Sequence, residues 1–378
     1  MKYYIIAGEA SGDLHGSNLI KALKQEDTKA DVRCWGGDLM EAQGATLVKH
    51  YRDLAFMGFI EVVSNLRTIL RNLRFCKEDI LTFQPDALIL IDYPGFNLRI
   101  AKWAKKHGIR VLYYISPQIW AWNSRRVYGI KATVDKMYVI LPFEKDFYEK
   151  YDCDVEFVGH PLLDVIATYT PDTSLYDRYR LDDNRPLISL LPGSRRQEIS
   201  RMLPVMLSVV DEFPNYQFVV AGAPSISDAF YQDIFEEVGR EAPLISGQTY
   251  NLLSLSQAAL VTSGTATLET ALFSVPEVVC YQGSPLSYQI ARRLVNVKYI
   301  SLVNLIVDRE IVKELIQKEF NPTRLKTELA SILEPQRRKE LQEGYRELKA
   351  KLGHRGASAK AAKHMVYFLR KQKNQDNT

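Results

Sequence analysis

The sequence is sparing with the residues that staple or metallate a chain. It has four cysteines in 378 residues. Cys34, Cys76, Cys153 and Cys280 form no C-x-x-C pair. That spacing argues against a disulfide framework and a structural zinc site. The six histidines show no H-x-x-x-H pair, so metal catalysis has no support in the pattern. Long hydrophobic runs are missing too. The longest, such as Ala87–Ile91, fall far short of the ~20 residues that span a bilayer. The apolar start, Tyr3–Ala7, meets Gly8 and Glu9 at once, which fits a first strand better than a secretory leader. A cytosolic protein is expected.

What remains is an ordinary globular composition, 46% hydrophobic and 25% charged. The length favours two domains. Net charge is only +4, but nine Lys or Arg against two acids lie between Tyr345 and Thr378. Such a basic segment can meet nucleic acid, an anionic membrane or an acidic patch of its own fold, or simply be a solvated helix face.

Short apolar runs alternate with helical stretches. Strands are expected at 3–7, 32–35, 86–91, 110–115, 136–141 and 155–158, then at 187–191, 216–221, 258–262 and 277–281. Helical periodicity marks Gly12–Lys24, Asn97–His107 and Glu198–Asp211. Continuous apolar strands between helices imply parallel sheets covered on both faces. The two series are separated by a stretch with Pro161, Pro171 and Pro186 and no strand signal. The expected architecture is therefore α/β, with two Rossmann-like domains whose parallel sheets face a cleft. They would span 1–165 and 185–350, followed by a C-terminal helix and tail over 351–378. That last segment either crosses back to the N-terminal domain or is swapped in a homodimer.

Four loops lie where such folds put ligands, at the carboxyl ends of strands. Gly8–Gly16 reads GEASGDLHG, with glycines four apart rather than in the dinucleotide fingerprint. It is either an anion or sugar site at a helix start or a turn capped by Ser11 or Asp13. In IDYPGFN, Asp92 ends an apolar strand and is either a general base or a cap. In LLPGSRRQE, Gly193 lets the backbone approach a ligand, and Arg195, beside Ser194, either offers a fork for phosphate oxygens or is a surface arginine after a turn. In SGTATLE, Ser263, Gly264 and Thr265 suit a diphosphate, with Glu269 one turn on for ribose hydroxyls; a capped helix is the alternative. Asp152-Cys153-Asp154 is assigned to a turn.

One helical stretch has an amphipathic face. Phe59, Val62, Leu66, Ile69, Leu70 and Leu73 share an arc flanked by Arg67, Arg71 and Arg74. It describes an interfacial helix on anionic lipid or a helix packed on a sheet.

Taken in order, GEASGD, LAFMGFIEV, IDYPGFN, SPQIWAW, LPFEKDFY, FVGHPLLD, LLPGSRRQE, SGTATLE and YISLVNLI resemble the lipid-A-disaccharide synthases, inverting glycosyltransferases of the GT-B architecture. The likeness runs through nearly the whole chain. Some members read DAPDFN where this chain has Asp92–Asn97, so only Asp92 inherits a carboxylate role. The resemblance implies transfer from UDP-2,3-diacylglucosamine to 2,3-diacylglucosamine 1-phosphate, with a β-1,6 linkage and release of UDP. It implies no metal, cofactor or nucleic acid. It places Asp92 as base, and Gly193, Ser194, Arg195, Ser263, Gly264, Thr265, Glu269 and Asn304 around the donor. Ser11, Gly12, Asp13 and His15 would line the acceptor side. The acylated substrates imply a peripheral protein on the cytoplasmic face of the inner membrane. Other GT-B enzymes, such as UDP-sugar 2-epimerases or an N-acetylglucosaminyl transferase, and a non-catalytic UDP-sugar binder, are the competing readings.

Overall fold

The structure is a computed structural model describing residues 1–54, 66–284, 288 and 297–376. Its contacts divide the chain into two units. One comprises Met1–Pro161 with His354–Thr378, the other Leu162–Gly353.

The first unit holds a seven-stranded sheet, all of it parallel. Its strands are β1 (Lys2–Ala7), β2 (Asp31–Gly36), β3 (Thr46–His50), β4 (Ala87–Ile91), β5 (Arg110–Tyr114), β6 (Lys136–Val139) and β7 (Val155–Phe157). The order is β3-β2-β1-β4-β5-β6-β7, so the winding reverses between β1 and β4. Every residue of β4 is buried, as a strand covered on both faces requires. Each such Ile or Leu contributes ~1.5–3 kcal/mol.

The second unit repeats the plan with six parallel strands. They are β8 (Leu187–Leu191), β9 (Gln217–Gly222), β10 (Leu244–Ser246), β11 (Ser256–Thr262), β12 (Glu277–Tyr281) and β13 (Lys313–Ile316). The order β10-β9-β8-β11-β12-β13 reverses between β8 and β11. Three strands escape the sequence pattern: β3, β10 and β13. β3 and β13 carry charged residues such as Lys49, Lys313 and Glu314, and β10 is three residues long. All three lie at sheet edges, where burial on one side no longer forces an apolar run.

The C-terminal helices run over Pro335–Lys351 and Ala357–Asp376, parted by Gly353 and Gly356 at φ +90° and +97°. The last packs against the helix Ala10–Glu26 in the first unit. Its basic side chains are largely spent there. Lys360 donates to the Phe157 carbonyl (2.7 Å) and Arg370 to the Glu26 carbonyl (3.0 Å). Lys373 pairs with Asp86 and His364 with Glu156. These are contacts with its own fold, while Lys363 and Lys371 stay exposed.

The amphipathic helix spans Leu66–Phe83. Phe59 and Val62 lie outside the described residues, as does the side chain of Leu66. The remaining arc splits. Leu73 is buried and Ile69 packs on the core, while Leu70 is 55% exposed beside exposed Arg67, Arg71 and Arg74. Ile69 and Leu73 thus cover the sheet and leave the surface to Leu70, the arginines and Phe75, which is 43% exposed. Among the described residues no helix is long and apolar enough to cross a membrane.

Candidate functional site

In the first unit the β1 and β4 loops meet at the reversal of the sheet. Ala7 pairs with Ile91, so Gly8 and Asp92 leave the sheet side by side. Asp92 and Tyr93 both adopt the left-handed region, at φ +42° and +47°. Two such residues in succession, neither of them glycine, make a strained turn, with ~1–3 kcal/mol at Tyr93, the less tolerant of the two. The Asp92 carbonyl accepts from Tyr113 Oη (2.5 Å) and Asn97 Nδ2 (2.7 Å). Tyr93 stacks on Phe96 at 5.7 Å, and Pro94 opens the helix Pro94–Lys106. Gly8 is obligatory beneath this turn, because a Cβ there would lie 2.4 Å from the Tyr93 ring.

Asp92 is half-buried. Desolvation pushes its carboxyl up to about 7, the charge of Glu9 adds to this, and a hydrogen bond from the Tyr93 N–H opposes it. A carboxyl poised there exchanges protons near neutral pH, as a general base must.

The expected acceptor-side residues fare differently. Neither Ser11 nor Asp13 caps the helix Ala10–Glu26, which starts after Glu9. Asp13 is buried and accepts from the N–H groups of Gly37 (2.8 Å), Leu39 (3.2 Å) and Met40 (3.0 Å). It therefore caps the neighbouring helix Asp38–Ala42. Gly12 lies against Ala7, where an added Cβ would meet the alanine methyl at 3.0 Å, and Gly16 against Met40. His15 is buried, its Nδ1 has no hydrogen-bond partner, and desolvation lowers its pKa to about 4. Its imidazole stays neutral at physiological pH. Ser11 alone of the four is exposed.

In the second unit Leu191 pairs with Val261, so the loops after β8 and β11 also flank a sheet reversal. Gly193, at φ +118°, turns the chain so that Glu198 folds back onto the helix start. Glu198 accepts from the Ser194 N–H (3.2 Å) and from Arg195 Nη1 (2.6 Å). Arg195 remains 58% exposed. Across from it, Gly264 and Thr265 are exposed at the start of the helix Thr265–Leu272. The Ser263 hydroxyl donates to the Ile300 carbonyl (2.8 Å). Glu269 accepts from Tyr250 Oη (2.7 Å), and burial raises its pKa. Asn304 departs from its expected donor contact. Its amide nitrogen donates to Val312 O and Glu314 Oε1, and its oxygen accepts from the N–H groups of Ile311 and Val312. The amide is saturated and fully buried, so its work is to hold the turn before β13.

Residues 3–367 match the family described as lipid-A-disaccharide synthetase. The lipid-A-disaccharide synthase of Syntrophus aciditrophicus is 42% identical over 377 residues, covering 97% of each chain. That of Geobacter metallireducens is 39% identical, covering 98% of this chain and 97% of its own. The chain belongs to the lipid-A-disaccharide synthetase family.

It is accordingly a glycosyltransferase of lipid A biosynthesis. Solved structures share the two-domain α/β fold of such enzymes at low identity. An S. aureus MnaA–UDP co-structure superposes with a TM-score of 0.69 at 15% identity, covering 98% of this chain and 97% of that one. A Neisseria meningitidis UDP-GlcNAc 2-epimerase bound to UDP-GlcNAc gives 0.66 at 14%, covering 98% and 100%.

The synthetase motifs meet in space where they are distant in sequence. Ser116 of SPQIWAW donates to Glu144 of LPFEKDFY at 2.6 Å. Glu144 also accepts from the N–H groups of Ile140 and Leu141. It is fully buried, and desolvation still raises its pKa to about 7. The sequence reading did not single out Glu9, Tyr93, Asn97 and Tyr113, which act on Asp92 through charge or hydrogen bonds, or Glu144, which ties two of the motifs together. Asn97 was in view within IDYPGFN. Glu144 was signalled by Pro142 two residues before it, the pattern of a helix start with an acid at its third position.

Among the described residues no group of three or more His, Cys, Asp or Glu side chains is placed to hold a metal ion. Asp152 sits in a turn at φ +51°, and Asp154 pairs with Lys136.

Proposed function

We propose that the enzyme joins UDP-2,3-diacylglucosamine to the 6-hydroxyl of 2,3-diacylglucosamine 1-phosphate by a single inverting displacement, with Asp92 as the general base. The observation that carries this is Asp92 itself. It is a half-buried carboxyl with a pKa raised to about 7, on a strained turn at the reversal of its sheet. Taking the acceptor proton there generates the attacking oxygen as the UDP bond breaks. The leaving diphosphate is held in the second unit by Arg195, the Gly193–Ser194 backbone and the Ser263–Thr265 helix start. Fixed dipoles and a guanidinium compensate the developing charge. Glu269 takes the ribose. The exposed position of Arg195 and the sheet reversal between β8 and β11 support this half, as does a fold neighbour solved with UDP. Ser11 is the acceptor-side residue left at the surface.

The acyl chains require contact with the cytoplasmic face of the inner membrane. Leu70 and Phe75 with Arg67, Arg71 and Arg74 are the surface proposed for it.

UDP release from the two acylated sugars tests the reading. Loss of a general base costs ~10²–10⁴-fold. Asp92→Asn should slow turnover by that much with UDP affinity intact, and unchanged turnover refutes the assignment. Arg195→Ala should weaken UDP binding, and a normal UDP titration removes its role. The epimerases among the fold neighbours give a second reading its footing. Efficient turnover of UDP-GlcNAc without acyl chains would favour it.

A further inference from the structure

Asp92 adopts a left-handed conformation that aspartate tolerates, but Tyr93, which precedes Pro94, follows it into the same region, so something must hold the turn there. The Asp92 backbone N–H makes only long contacts, 3.3 Å to both the Tyr114 and Ile115 carbonyls. The firm attachments are on its carbonyl, from Tyr113 Oη at 2.5 Å and Asn97 Nδ2 at 2.7 Å. Asn97 Nδ2 also reaches the carbonyls of Ile91 (3.1 Å) and Ile6 (3.5 Å). The two donors therefore tie the turn to β5, to the end of β1 and to the helix that follows it. Both side chains are fully buried and out of reach of a substrate. Burial keeps the Tyr113 phenol far above its usual pKa, so it always has a proton to donate.

We infer that Tyr113 and Asn97 are positioning residues for Asp92, clamping its carbonyl so that the left-handed turn, and with it the direction of the carboxylate, is fixed before substrate arrives. Released, the peptide relaxes toward extended backbone, where successive side chains point to opposite faces. The carboxylate then leaves the strand on a different side. This rests on the reading of Asp92 as the base.

The test uses Tyr113→Phe and Asn97→Ser, each removing or shortening one donor, in the full-length enzyme. The readouts are UDP release with both acylated sugars across pH, and thermal melting. A misplacement near 1 Å costs on the order of 100-fold. The expected result is a kcat lowered ~10–100-fold, with KM for both sugars and UDP affinity unchanged. The acid limb of the kcat profile moves down from about 7 toward the ordinary carboxylate range, as the carboxyl turns to water. In an Asp92→Asn background, Tyr113→Phe adds no further loss, because the group it aims is already gone. A normal kcat with an unmoved acid limb in either folded variant overturns the inference. A full additional loss in the Asp92→Asn background also overturns it, and so does loss of a cooperative melt in both variants, since the pair would then serve the sheet rather than the turn. The two readings fail separately. Wild-type turnover by Asp92→Asn removes the base and the clamp's purpose together. A slow Asp92→Asn beside a normal Tyr113→Phe removes the clamp alone.

Discussion

Replacing Asp92 by Asn should slow turnover ~10²–10⁴-fold and, at neutral pH and above, make the first unit more stable. Folding moves this carboxyl from 3.8 to about 7, mainly through desolvation and secondarily through Glu9. A shift of about three pH units at ~1.36 kcal/mol each sets a ceiling of ~4 kcal/mol. The side chain is only half-buried, and solvent screening reduces this to ~2 kcal/mol. The sign follows from linkage. A carboxyl whose pKa rises on folding costs nothing below pH 3.8. Its cost grows as pH climbs and is complete above 7, where the folded state holds a charge it disfavours. Asn does not titrate, and it keeps an oxygen for the Tyr93 N–H. The variant should therefore melt ~4–8 °C higher than wild type at pH 8, at ~2–4 °C per kcal/mol for a unit of this size. At pH 4 the gap should shrink to the small pH-independent gain that Asn has in left-handed backbone. Buried Glu144 and Glu277 titrate identically in both proteins and cancel. Differential scanning fluorimetry from pH 4 to 8, beside UDP release, makes the measurement. A melting difference that is the same at both ends of that range refutes the reasoning, because the carboxyl would then not be desolvated. Any acid limb of turnover near 7 would then need another owner.

Other consequences are sharp enough to check. Gly8→Ala places a methyl 2.4 Å from the Tyr93 ring, so the turn must open. Turnover should fall at least tenfold while UDP titration stays normal. Glu277 starts β12 fully buried, with neither carboxylate oxygen hydrogen-bonded and its pKa pushed well above 4.5. Glu277→Met should stabilise the protein by ~1–3 kcal/mol, with a melting advantage that grows as pH rises from 5 to 8. A constant advantage would contradict the assigned burial. Changing Arg67, Arg71 and Arg74 together to Ala should cost ~3 kcal/mol of binding to anionic vesicles, at ~1 kcal/mol per charge. Equal co-sedimentation of variant and wild type would move the membrane surface elsewhere.

The strands that position the site were legible because they are buried on both faces. Ala87–Ile91 and Leu187–Leu191 have no polar residue except Ser189, and a fully apolar run leaves a strand little else to be. Each apolar run stops where its strand ends, which is why Asp92 and Gly193 could be placed at strand ends from the sequence, whereas the winding reversal there appears only in the strand order. Side-chain partners were not legible. Asp13 finds its acceptor role on Gly37–Met40, more than twenty residues away, and its own helix start told nothing of it. The glycines of GEASGDLHG looked like a ligand loop, but Gly8, Gly12 and Gly16 clear space for Tyr93, Ala7 and Met40. Asn304 sits in a family motif and is spent on the Ile311 and Val312 backbone and the Glu314 carboxylate. The helical wheel grouped Ile69, Leu70 and Leu73, since periodicity cannot say on which side the sheet lies.

The strain at Asp92 was hidden for a different reason, and that reason bears on what the turn does. Tyr93 precedes Pro94, and the proline ring pushes the residue before it toward extended backbone. Local sequence thus argues for φ well below zero at Tyr93, and the observed value is +47°. Ile115, whose carbonyl faces the Asp92 N–H, breaks its own preference as a β-branched residue at φ +65°. Sequences are locally consistent with their fold except where function imposes a conflict. Two violations gathered beside Asp92 on adjacent strand ends, with two fully buried donors on its carbonyl, are strain that the proposed base would use. A capping aspartate needs none of them. A base that must meet one hydroxyl at one angle needs its backbone held against its preference before the substrate arrives.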